Sequence, residues 1–198
     1  MLLLLIFSLL AYLIGSLSSA VIVCKYAGLP DPRLQGSGNP GASNVLRIGG
    51  KGLASIVLLF DIFKGWFPVI VANYLGIPLF FLGWIAFFVF LGHLFPLFFN
   101  FRGGKGVATA LGGLFALAWP IGMFALLVWL LVLFLFRYIS LASIISAIAS
   151  FFYALYYLPF TVCIPIFLMS ALLVFSHRAN IRRLLTGTEP KLRKARVC

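Results

Sequence analysis

Seven long apolar runs dominate the chain, and short segments containing polar residues, glycine or proline separate them. An α-helix needs about 20 apolar residues to cross the hydrocarbon layer of a membrane. The pattern therefore predicts an all-α fold, a polytopic membrane helix bundle of seven transmembrane helices. The predicted spans are 2–24, 53–75, 79–99, 105–119, 121–137, 139–157 and 161–178.

The composition supports this prediction. Of the 198 residues, 64% are hydrophobic and 9% are charged, and the mean hydropathy is +1.18. Soluble domains are roughly 45–50% apolar and about 25% charged, so a soluble globular protein is excluded, and the apolar excess also excludes a disordered chain. We therefore expect one integral-membrane domain over 1–198. The first run meets its first cation only at Lys25, on its C-terminal side, which disfavours a cleavable signal peptide.

The basic residues predict the orientation of the bundle. The turns 76–78, 119–121 and 158–160 carry no charge, whereas every Lys and Arg except Lys64 lies in the alternate segments. Those segments are 25–52, 100–105, 137–138 and 177–198. The positive-inside rule places them in the cytoplasm, with the N-terminus outside and the C-terminus inside. The net charge of +12 also indicates anionic partners.

A few polar residues lie within the predicted spans. Asp61 and Lys64 are one helical turn apart, so a mutual ion pair in the bundle interior is expected. We favour a structural pair over a proton or ion relay. His93 has no carboxylate near it in sequence and is interpreted as a buried histidine with satisfied hydrogen bonds. Ser140 and Ser143 begin a stripe of small residues typical of helix packing, but their position at a cytoplasmic end would let one reach a ligand.

The first polar segment, Gly36-Ser37-Gly38-Asn39-Pro40-Gly41-Ala42-Ser43-Asn44, matches GxGxxG literally. No strand precedes it and Pro40 interrupts it, so a dinucleotide site is rejected. Glycine backbone N–H groups, a helix beginning near Ser43-Asn44 and the Arg47 guanidinium nevertheless suit a phosphate. The candidate ligands are Gly36, Ser37, Gly38, Asn39, Gly41, Ser43, Asn44 and Arg47.

The second segment, Arg102-Gly103-Gly104-Lys105-Gly106-Val107-Ala108-Thr109, resembles a Walker A loop only superficially. The first glycine of that motif is missing, and Gly106 replaces the hydroxyl residue that would hold magnesium. Two cations and a hydroxyl at a helix start still predict a phosphate site. The candidates are Gly103, Gly104, Lys105, Gly106 and Thr109.

The third segment begins at His177, which shares a helical face with Asn180. Its position beside several cationic donors favours a ligand-facing role over that of a surface histidine at a helix C-terminus. Arg183 is a further candidate, and Glu189, the only glutamate, is expected to pair with a nearby cation. The tail cations from Lys191 to Arg196 indicate attraction to lipid headgroups.

The scarcity of acidic residues limits the chemistry. Three carboxylates argue against paired-carboxylate mechanisms and carboxylate metal cages, so we expect no metal and no cofactor. The three cysteines are scattered without a CxxC, which predicts neither disulfides nor a zinc site. Neither His93 nor His177 is followed five residues later by Asp, so the His-x4-Asp dyad of thioester-using acyltransferases is absent.

Together, the three segments resemble the bacterial acyl-phosphate:glycerol-3-phosphate acyltransferases of phospholipid synthesis. The similarity rests on three motifs, which occur in order along essentially the whole chain. They are Ser37-Gly38-Asn39-x-Gly41-Ala42-Ser43-Asn44-x-x-Arg47, Gly103-Gly104-Lys105-Gly106-Val107-Ala108-Thr109, and His177-x-x-Asn180-Ile181-x-Arg183-Leu184-x-x-Gly187-x-Glu189. Ser43 stands where threonine is expected, and Leu17-Ser18-Ser19 lacks a proline usual in the first span.

The resemblance implies transfer of an acyl group from acyl phosphate to the 1-hydroxyl of glycerol 3-phosphate, yielding lysophosphatidic acid and phosphate. It implies a monomer in the bacterial cytoplasmic (inner) membrane, with membrane lipid as a further partner and no nucleic acid. The implied catalytic residues are His177, Asn180, Ser37, Arg47 and Lys105. Ser143 joins the other candidates as a substrate-binding residue.

Two other functional classes remain open at this point. A transporter for a phosphorylated or anionic solute would explain the Asp61–Lys64 pair, but we find no internal repeat and the polar groups lie on one face. A non-catalytic lipid- or nucleic-acid-binding module would explain the basic tail and leave the glycine-rich segments unexplained.

Overall fold

A computed structural model describes residues 2–192, with side chains from Leu4 onward, and confirms the all-α class over that range. The tail cations beyond Leu192 and Cys198 lie outside the described residues. The helices are α1 (Leu2–Gly15), α2 (Ser19–Tyr26), α3 (Ala42–Tyr74), α4 (Leu79–Leu94), α5 (Val107–Leu117), α6 (Trp119–Phe136), α7 (Ile139–Tyr157), α8 (Phe160–Ser176) and α9 (Arg178–Leu185). A short 3-10 helix, Leu97–Phe99, follows α4.

The predicted count of seven spans is not confirmed. Among the described residues, five segments are long and apolar enough to cross a membrane, and α8 with α9 adds a sixth if this pair, bent by 55°, counts as one span. The predicted span 105–119 is the 11-residue helix α5. At about 1.5 Å per residue such a helix is only about half as long as a hydrocarbon core of ~30 Å. The left-handed Gly106 before it and the extended Ala118 after it limit its length.

Two other boundaries differ from the sequence prediction. The first span is interrupted, because α1 ends at Gly15 and α2 begins only at Ser19. The second predicted span, 53–75, is the end of a longer helix that starts at Ala42, which confirms a helix beginning near Ser43-Asn44. Gly50 breaks this helix with a φ of 81°, a conformation that glycine adopts without steric cost. The break separates the part of α3 that carries Arg47 from its membrane-spanning part.

Glycines bring α3 and α5 into close backbone contact. A Cβ atom on Gly65 of α3 would overlap the carbonyl oxygen of Thr109, and one on Gly112 of α5 would overlap that of Ile62. Small residues let membrane helices approach in this way. The contact places α5, and with it the loop that carries Lys105, directly beside α3.

The ion pair predicted between Asp61 and Lys64 is confirmed. Lys64 Nζ lies 2.8 Å from Asp61 Oδ1, and both side chains are buried. Lys64 also donates to the Leu17 carbonyl oxygen (2.8 Å), which lies in the break between α1 and α2. Ser19 Oγ donates to Asp61 Oδ1 (2.7 Å). The pair therefore joins α3 to the interrupted first span, in agreement with the structural interpretation.

His93, near the end of α4, is buried as predicted, but the prediction of a fully hydrogen-bonded ring is wrong. Its Nδ1 has no hydrogen-bond partner among the described residues. The atom lies 3.5 Å from Asp61 Oδ1, beyond ordinary hydrogen-bond length. A carboxylate thus does approach His93, although it is distant in sequence.

The ion pair leads to a prediction about stability. Lys64→Met should lower the free energy of unfolding by about 3–5 kcal/mol, because it leaves the buried Asp61 charge uncompensated. Unfolding of the purified protein in mixed detergent micelles, followed by intrinsic fluorescence, measures the change. Lys51→Met, at an exposed position of the same helix, is the matched control and should change stability little. An Asp61→Asn/Lys64→Met double variant should recover most of the loss, and a Lys64→Met protein as stable as wild type would contradict the prediction.

Candidate active site

The three polar segments predicted from the sequence meet at one end of the helix bundle. Lys105 Nζ, in the loop before α5, donates a hydrogen bond to Asn180 Oδ1 in α9. The same loop lies against the first segment, since a Cβ atom on Gly104 would be 3.1 Å from the Pro40 carbonyl oxygen. Residues about 75 positions apart in sequence are therefore neighbours.

Glu189 lies at the centre of this cluster. Its Oε1 accepts hydrogen bonds from Ser140 Oγ (2.6 Å) and Asn180 Nδ2 (2.7 Å), and its Oε2 accepts one from Arg183 Nε (2.6 Å). The chain returns toward α9 at Gly187, whose φ is 69°. The backbone N–H of Glu189 then donates to the Arg183 carbonyl oxygen (3.1 Å). The predicted pairing of Glu189 with a cation is confirmed, and the cation is Arg183.

These contacts determine how Asn180 presents its amide to Lys105. Asn180 Nδ2 donates to Glu189, so Oδ1 is the atom that faces the Lys105 ammonium group. Burial raises the pKa of Glu189, but the hydrogen bonds from Ser140, Asn180 and Arg183, together with the Arg183 charge, lower it by more, so the pKa lies below its usual value. Glu189 is therefore ionised at neutral pH.

Lys105 is the most perturbed cation of the cluster. Burial lowers the pKa of its ammonium group to about 8; the positive charges of Arg183 and Arg47 act in the same direction, and Glu189 opposes them. Lys105 is still mainly protonated at neutral pH. The charges of Lys105, Arg183 and Arg47 exceed that of the one carboxylate, and this excess of positive charge suits an anionic ligand such as a phosphate.

The lowered pKa of Lys105 leads to a prediction about pH dependence. The folded-state value lies below the ordinary value of 10.5, so the ammonium group loses its proton as the pH rises through about 8. If the cation holds a substrate phosphate, kcat/KM should fall about tenfold for each pH unit above this value. Lys105→Arg should shift the decline to higher pH, because a guanidinium stays protonated. Steady-state kinetics from pH 6 to 10 test this, and an unchanged profile in Lys105→Arg would contradict it.

His177 is buried directly after the end of α8. Its Nδ1 lies 2.9 Å from the Leu173 carbonyl oxygen. Because a carbonyl oxygen can only accept, Nδ1 carries the proton in this contact. The neutral ring thus has its lone pair on Nε2, which is the arrangement a general base requires.

The first segment is held in place by Asn44, a fully buried residue of α3. Asn44 Oδ1 accepts from the Ser37 backbone N–H (2.8 Å), and Nδ2 donates to the carbonyl oxygens of Pro32 (2.8 Å) and Gln35 (2.9 Å). The sequence predicts Asn44 as a phosphate ligand, but its amide already contacts the backbone of the loop. Ser37, by contrast, is exposed.

Arg33 ties the same loop to the 3-10 helix that follows α4. It forms an ion pair with Asp31 (2.7 Å) and donates to the Phe99 carbonyl oxygen (3.0 Å). Gly41 precedes the first residue of α3, with Asn39 before it and Ser43 in the first turn. Unpaired N–H groups of a first helical turn favour an anion, so this helix start retains the predicted capacity to bind phosphate.

The remaining candidates of the second segment pack against α4. Cβ atoms on Gly103 and Gly106 would overlap, respectively, the backbone of α4 near His93 and the ring of Phe90. These glycines position the loop between α4 and α5. The loop has little space for larger residues.

Two predicted substrate-binding residues, Ser143 and Thr109, form no hydrogen bond with the Glu189 cluster in the described part of the chain. Ser143 Oγ donates to the Ile139 carbonyl oxygen (2.8 Å) and accepts from Trp129 Nε1 (3.1 Å), so it lies between α6 and α7. Thr109 is fully buried where α5 crosses α3. Ser140, one turn before Ser143, is by contrast part of that cluster.

The sequence-based set of candidates missed Glu189 and Ser140 as members of the cluster. A signal for Glu189 was present, because it is the only glutamate and follows a glycine turn close to Asn180 and Arg183. For Ser140 the signal was its position at a cytoplasmic end, but Ser143 shares that position and was chosen instead. Only the return of the chain after α9 places its hydroxyl beside Glu189.

Comparison with known proteins agrees with this arrangement. A family described as "Glycerol-3-phosphate acyltransferase" matches residues 5–187. Proteins of that name from Idiomarina loihiensis and Cronobacter sakazakii are 49% and 52% identical to this chain. The alignments cover 94% of this chain and 94% of the first relative, and 93% of this chain and 89% of the second.

Two solved structures are similar over nearly the whole fold. One is the glycerol 3-phosphate form of an integral membrane glycerol 3-phosphate acyltransferase, with a TM-score of 0.91 and 40% identity over 96% of each chain. The other is a lysophosphatidic acid form, with a TM-score of 0.89 and 39% identity over 96% of this chain and 95% of that one. Agreement of sequence and fold across this length shows that the chain is a multi-pass membrane protein and belongs to the glycerol-3-phosphate acyltransferase family.

Proposed function

We propose that this chain transfers a fatty acyl group from acyl phosphate to the 1-hydroxyl of glycerol 3-phosphate, producing lysophosphatidic acid and inorganic phosphate. Acyl transfer to glycerol 3-phosphate is the activity of the family. The donor and the product are the proposed part. Structures of relatives described as glycerol 3-phosphate and lysophosphatidic acid forms support the acceptor and the product.

The observation that carries the proposal is the contact of Lys105 with Asn180 beside the first segment. It gathers cationic and N–H donors from three segments at one end of the bundle. An acyl phosphate and glycerol 3-phosphate each carry a phosphate, so a site for both needs two groups of anion-binding donors. The segment from Gly36 to Asn44 with Arg47 would hold one phosphate. Lys105 and the turn Gly103–Gly106 would hold the other or bridge both.

An acyl phosphate also suits a site with few bases. It is a mixed anhydride whose phosphate is a good leaving group, so positioning and charge stabilisation can supply most of the rate. The glycerol oxygen attacks the acyl carbon, the bond from that carbon to the phosphate oxygen breaks, and phosphate departs with both bonding electrons. Lys105 and Arg47 would stabilise the negative charge that develops on the leaving group.

Two groups could accept the hydroxyl proton. His177 Nε2 is one, because the contact of Nδ1 with Leu173 leaves its lone pair available. A phosphate oxygen of a substrate is the other, and the scarcity of protein bases supports it. Asn180 and His177 would orient the hydroxyl in either route, and Ser37 would donate to a phosphate. A His177→Ala variant that retains most of the wild-type activity would favour the substrate-assisted route.

The proposal includes a topology. We place the N-terminus outside and the C-terminus inside the bacterial cytoplasmic (inner) membrane, with 1–198 as one domain acting as a monomer. The distribution of basic residues supports this orientation. The acyl chain would enter sideways from the lipid between the helices and leave its phosphate at the cytoplasmic surface.

One assay tests the proposed reaction. Purified protein in lipid vesicles receives acyl phosphate and glycerol 3-phosphate, and both phosphate release and lysophosphatidic acid are measured. We expect equal amounts of the two products, dependent on both substrates, and strong loss in Arg47→Ala but little change in Arg182→Ala, an exposed arginine of α9. Product formation from an acyl thioester alone would contradict the proposed donor, and uptake of glycerol 3-phosphate without product would favour transport.

A further inference from the structure

His93 lies between the buried ion pair of α3 and the loop that carries Lys105. On one side its Nδ1 is 3.5 Å from Asp61 Oδ1. On the other side its Nε2 lies against Gly104, because a Cβ atom built on that glycine would overlap it. The residue is 7% exposed, so water has little access to the ring. A single side chain thus spans the distance from the membrane-embedded pair to the second motif.

The backbone of His93 contacts the same loop. The Gly104 N–H donates to the His93 carbonyl oxygen (3.2 Å), and a Cβ atom on Gly103 would overlap that oxygen. Gly103 and Gly104 have no side chains, and consecutive glycines have wide conformational freedom. The position of Lys105 therefore depends on contacts from outside the loop. Phe90 and Leu94 of α4 contact the loop too, but His93 is the α4 residue that contacts Gly104, the residue directly before Lys105, through both its ring and its carbonyl oxygen.

The orientation of the ring follows from its surroundings. Asp61 Oδ1 already accepts from Ser19 Oγ and Lys64 Nζ, at 2.7 Å and 2.8 Å. A carboxylate only accepts, so the ring nitrogen that faces it is the protonated one. Attraction to Asp61 then holds the Nδ1 edge toward α3 and directs the Nε2 edge toward Gly104.

We propose that His93, oriented by the Asp61–Lys64 pair, is a positioning residue that determines where the Gly103–Gly104 turn places the Lys105 ammonium group for a substrate phosphate. This inference rests on the proposed phosphate-binding role of Lys105. His93 touches no substrate in this arrangement and acts through the loop. Through His93, the Asp61–Lys64 ion pair contributes to the position of Lys105, in addition to joining α3 to the first span.

Variants of His93 distinguish positioning from a purely structural role. Glutamine places a polar atom near the former Nε2, whereas asparagine reaches only as far as Nδ1. If the far edge of the ring positions the loop, His93→Ala and His93→Asn should raise KM by about tenfold or more, since a misplacement of ~1 Å can cost on the order of a hundredfold. His93→Gln should recover most of this loss. Because Lys105 would also stabilise the charge that develops on the leaving phosphate, kcat should fall together with the rise in KM in His93→Ala and His93→Asn, and both should largely recover in His93→Gln.

The substrate whose KM rises should be the one whose KM rises in Lys105→Ala. Ser150→Ala is the matched control. It removes a buried polar group from a different helix, a hydroxyl that donates to the Ser146 carbonyl oxygen, and it should leave both KM values unchanged. A structural role alone would give a different pattern, in which asparagine restores both stability and KM as well as glutamine does. That pattern, or a loss confined to kcat, would overturn the proposal.

A double-mutant cycle tests the contact itself. Gly104→Ala adds a methyl group where the ring edge lies, so it should raise KM in the wild-type background. In the His93→Asn background the ring edge is gone, and the added cost should be clearly smaller. Additive effects would overturn the proposal. Binding of glycerol 3-phosphate alone, measured by calorimetry on the same variants, separates this inference from the proposed donor, because it needs no acyl phosphate.

Discussion

Replacing Lys105 with methionine should lower kcat/KM for acyl transfer by about a hundredfold to a thousandfold, the cost typical of losing one preorganised donor to developing charge. The Lys105 ammonium is half-buried, and Arg47, Arg183 and Glu189 influence its charge. Methionine keeps the packing of the aliphatic stem and removes only the charge. Steady-state kinetics with both substrates, together with a thermal unfolding curve, measure the effect.

The control for this variant is Arg102→Met. Arg102 is an exposed cation of the same loop, three positions before Lys105. Removing its charge changes the net charge of the protein equally, so a general electrostatic effect would appear in both variants. We expect the Arg102 variant to retain nearly full activity. Equal losses in the two variants, or a Lys105→Met enzyme with wild-type kinetics, would contradict the assignment of Lys105.

Glu189→Gln should lower kcat/KM by about a hundredfold, because a displacement of ~1 Å in a binding site can cost that much. The glutamate accepts three hydrogen bonds through its two oxygens. Glutamine has only one oxygen, so at least one of the donors from Ser140, Asn180 and Arg183 loses its partner. Asn180 is then free to turn its amide, and its Oδ1 no longer faces Lys105. Kinetics of the purified variant test this.

A second measurement separates this positioning effect from loss of folding. The Glu189 charge raises the pKa of Lys105, so removing it should move the decline of kcat/KM to a pH below 8. An effect on folding alone would reduce the amount of active protein without moving the profile. Thr188→Ala, at the exposed neighbouring position, is the control and should change neither quantity. An unshifted profile with full activity would contradict the role given to Glu189.

The helix positions were largely predictable, because each apolar run has to be helical wherever it meets hydrocarbon. The spans predicted at 121–137 and 139–157 agree with α6 and α7 within two residues. Length was harder to predict than position. Hydropathy treats Val107–Leu117 as part of a span, but the backbone at Gly106 and Ala118 ends the helix on both sides. The pattern of apolar residues does not reveal such backbone conformations.

The candidate site was likewise predictable only in part. Lys105, Asn180 and Arg183 were identified from polar residues in otherwise apolar surroundings, and the structure brings them together. Asn44 was assigned to a substrate from its side-chain chemistry, yet its contacts are with the loop backbone. An amide can serve either purpose equally well, so residue type alone does not distinguish a ligand from a loop-holding residue.

The sequence by itself determined a helical membrane protein whose cations gather in alternate loops, because hydrocarbon excludes charge from all but a few positions. It also determined the three motifs that resemble the family. Only the tertiary structure decided that Glu189 joins Ser140, Asn180 and Arg183, and that His93 lies between Asp61 and Gly104. These groups come from several helices and from the loops beside them, and contacts between them depend on helix packing at the level of an ångström, which no local pattern of residues encodes.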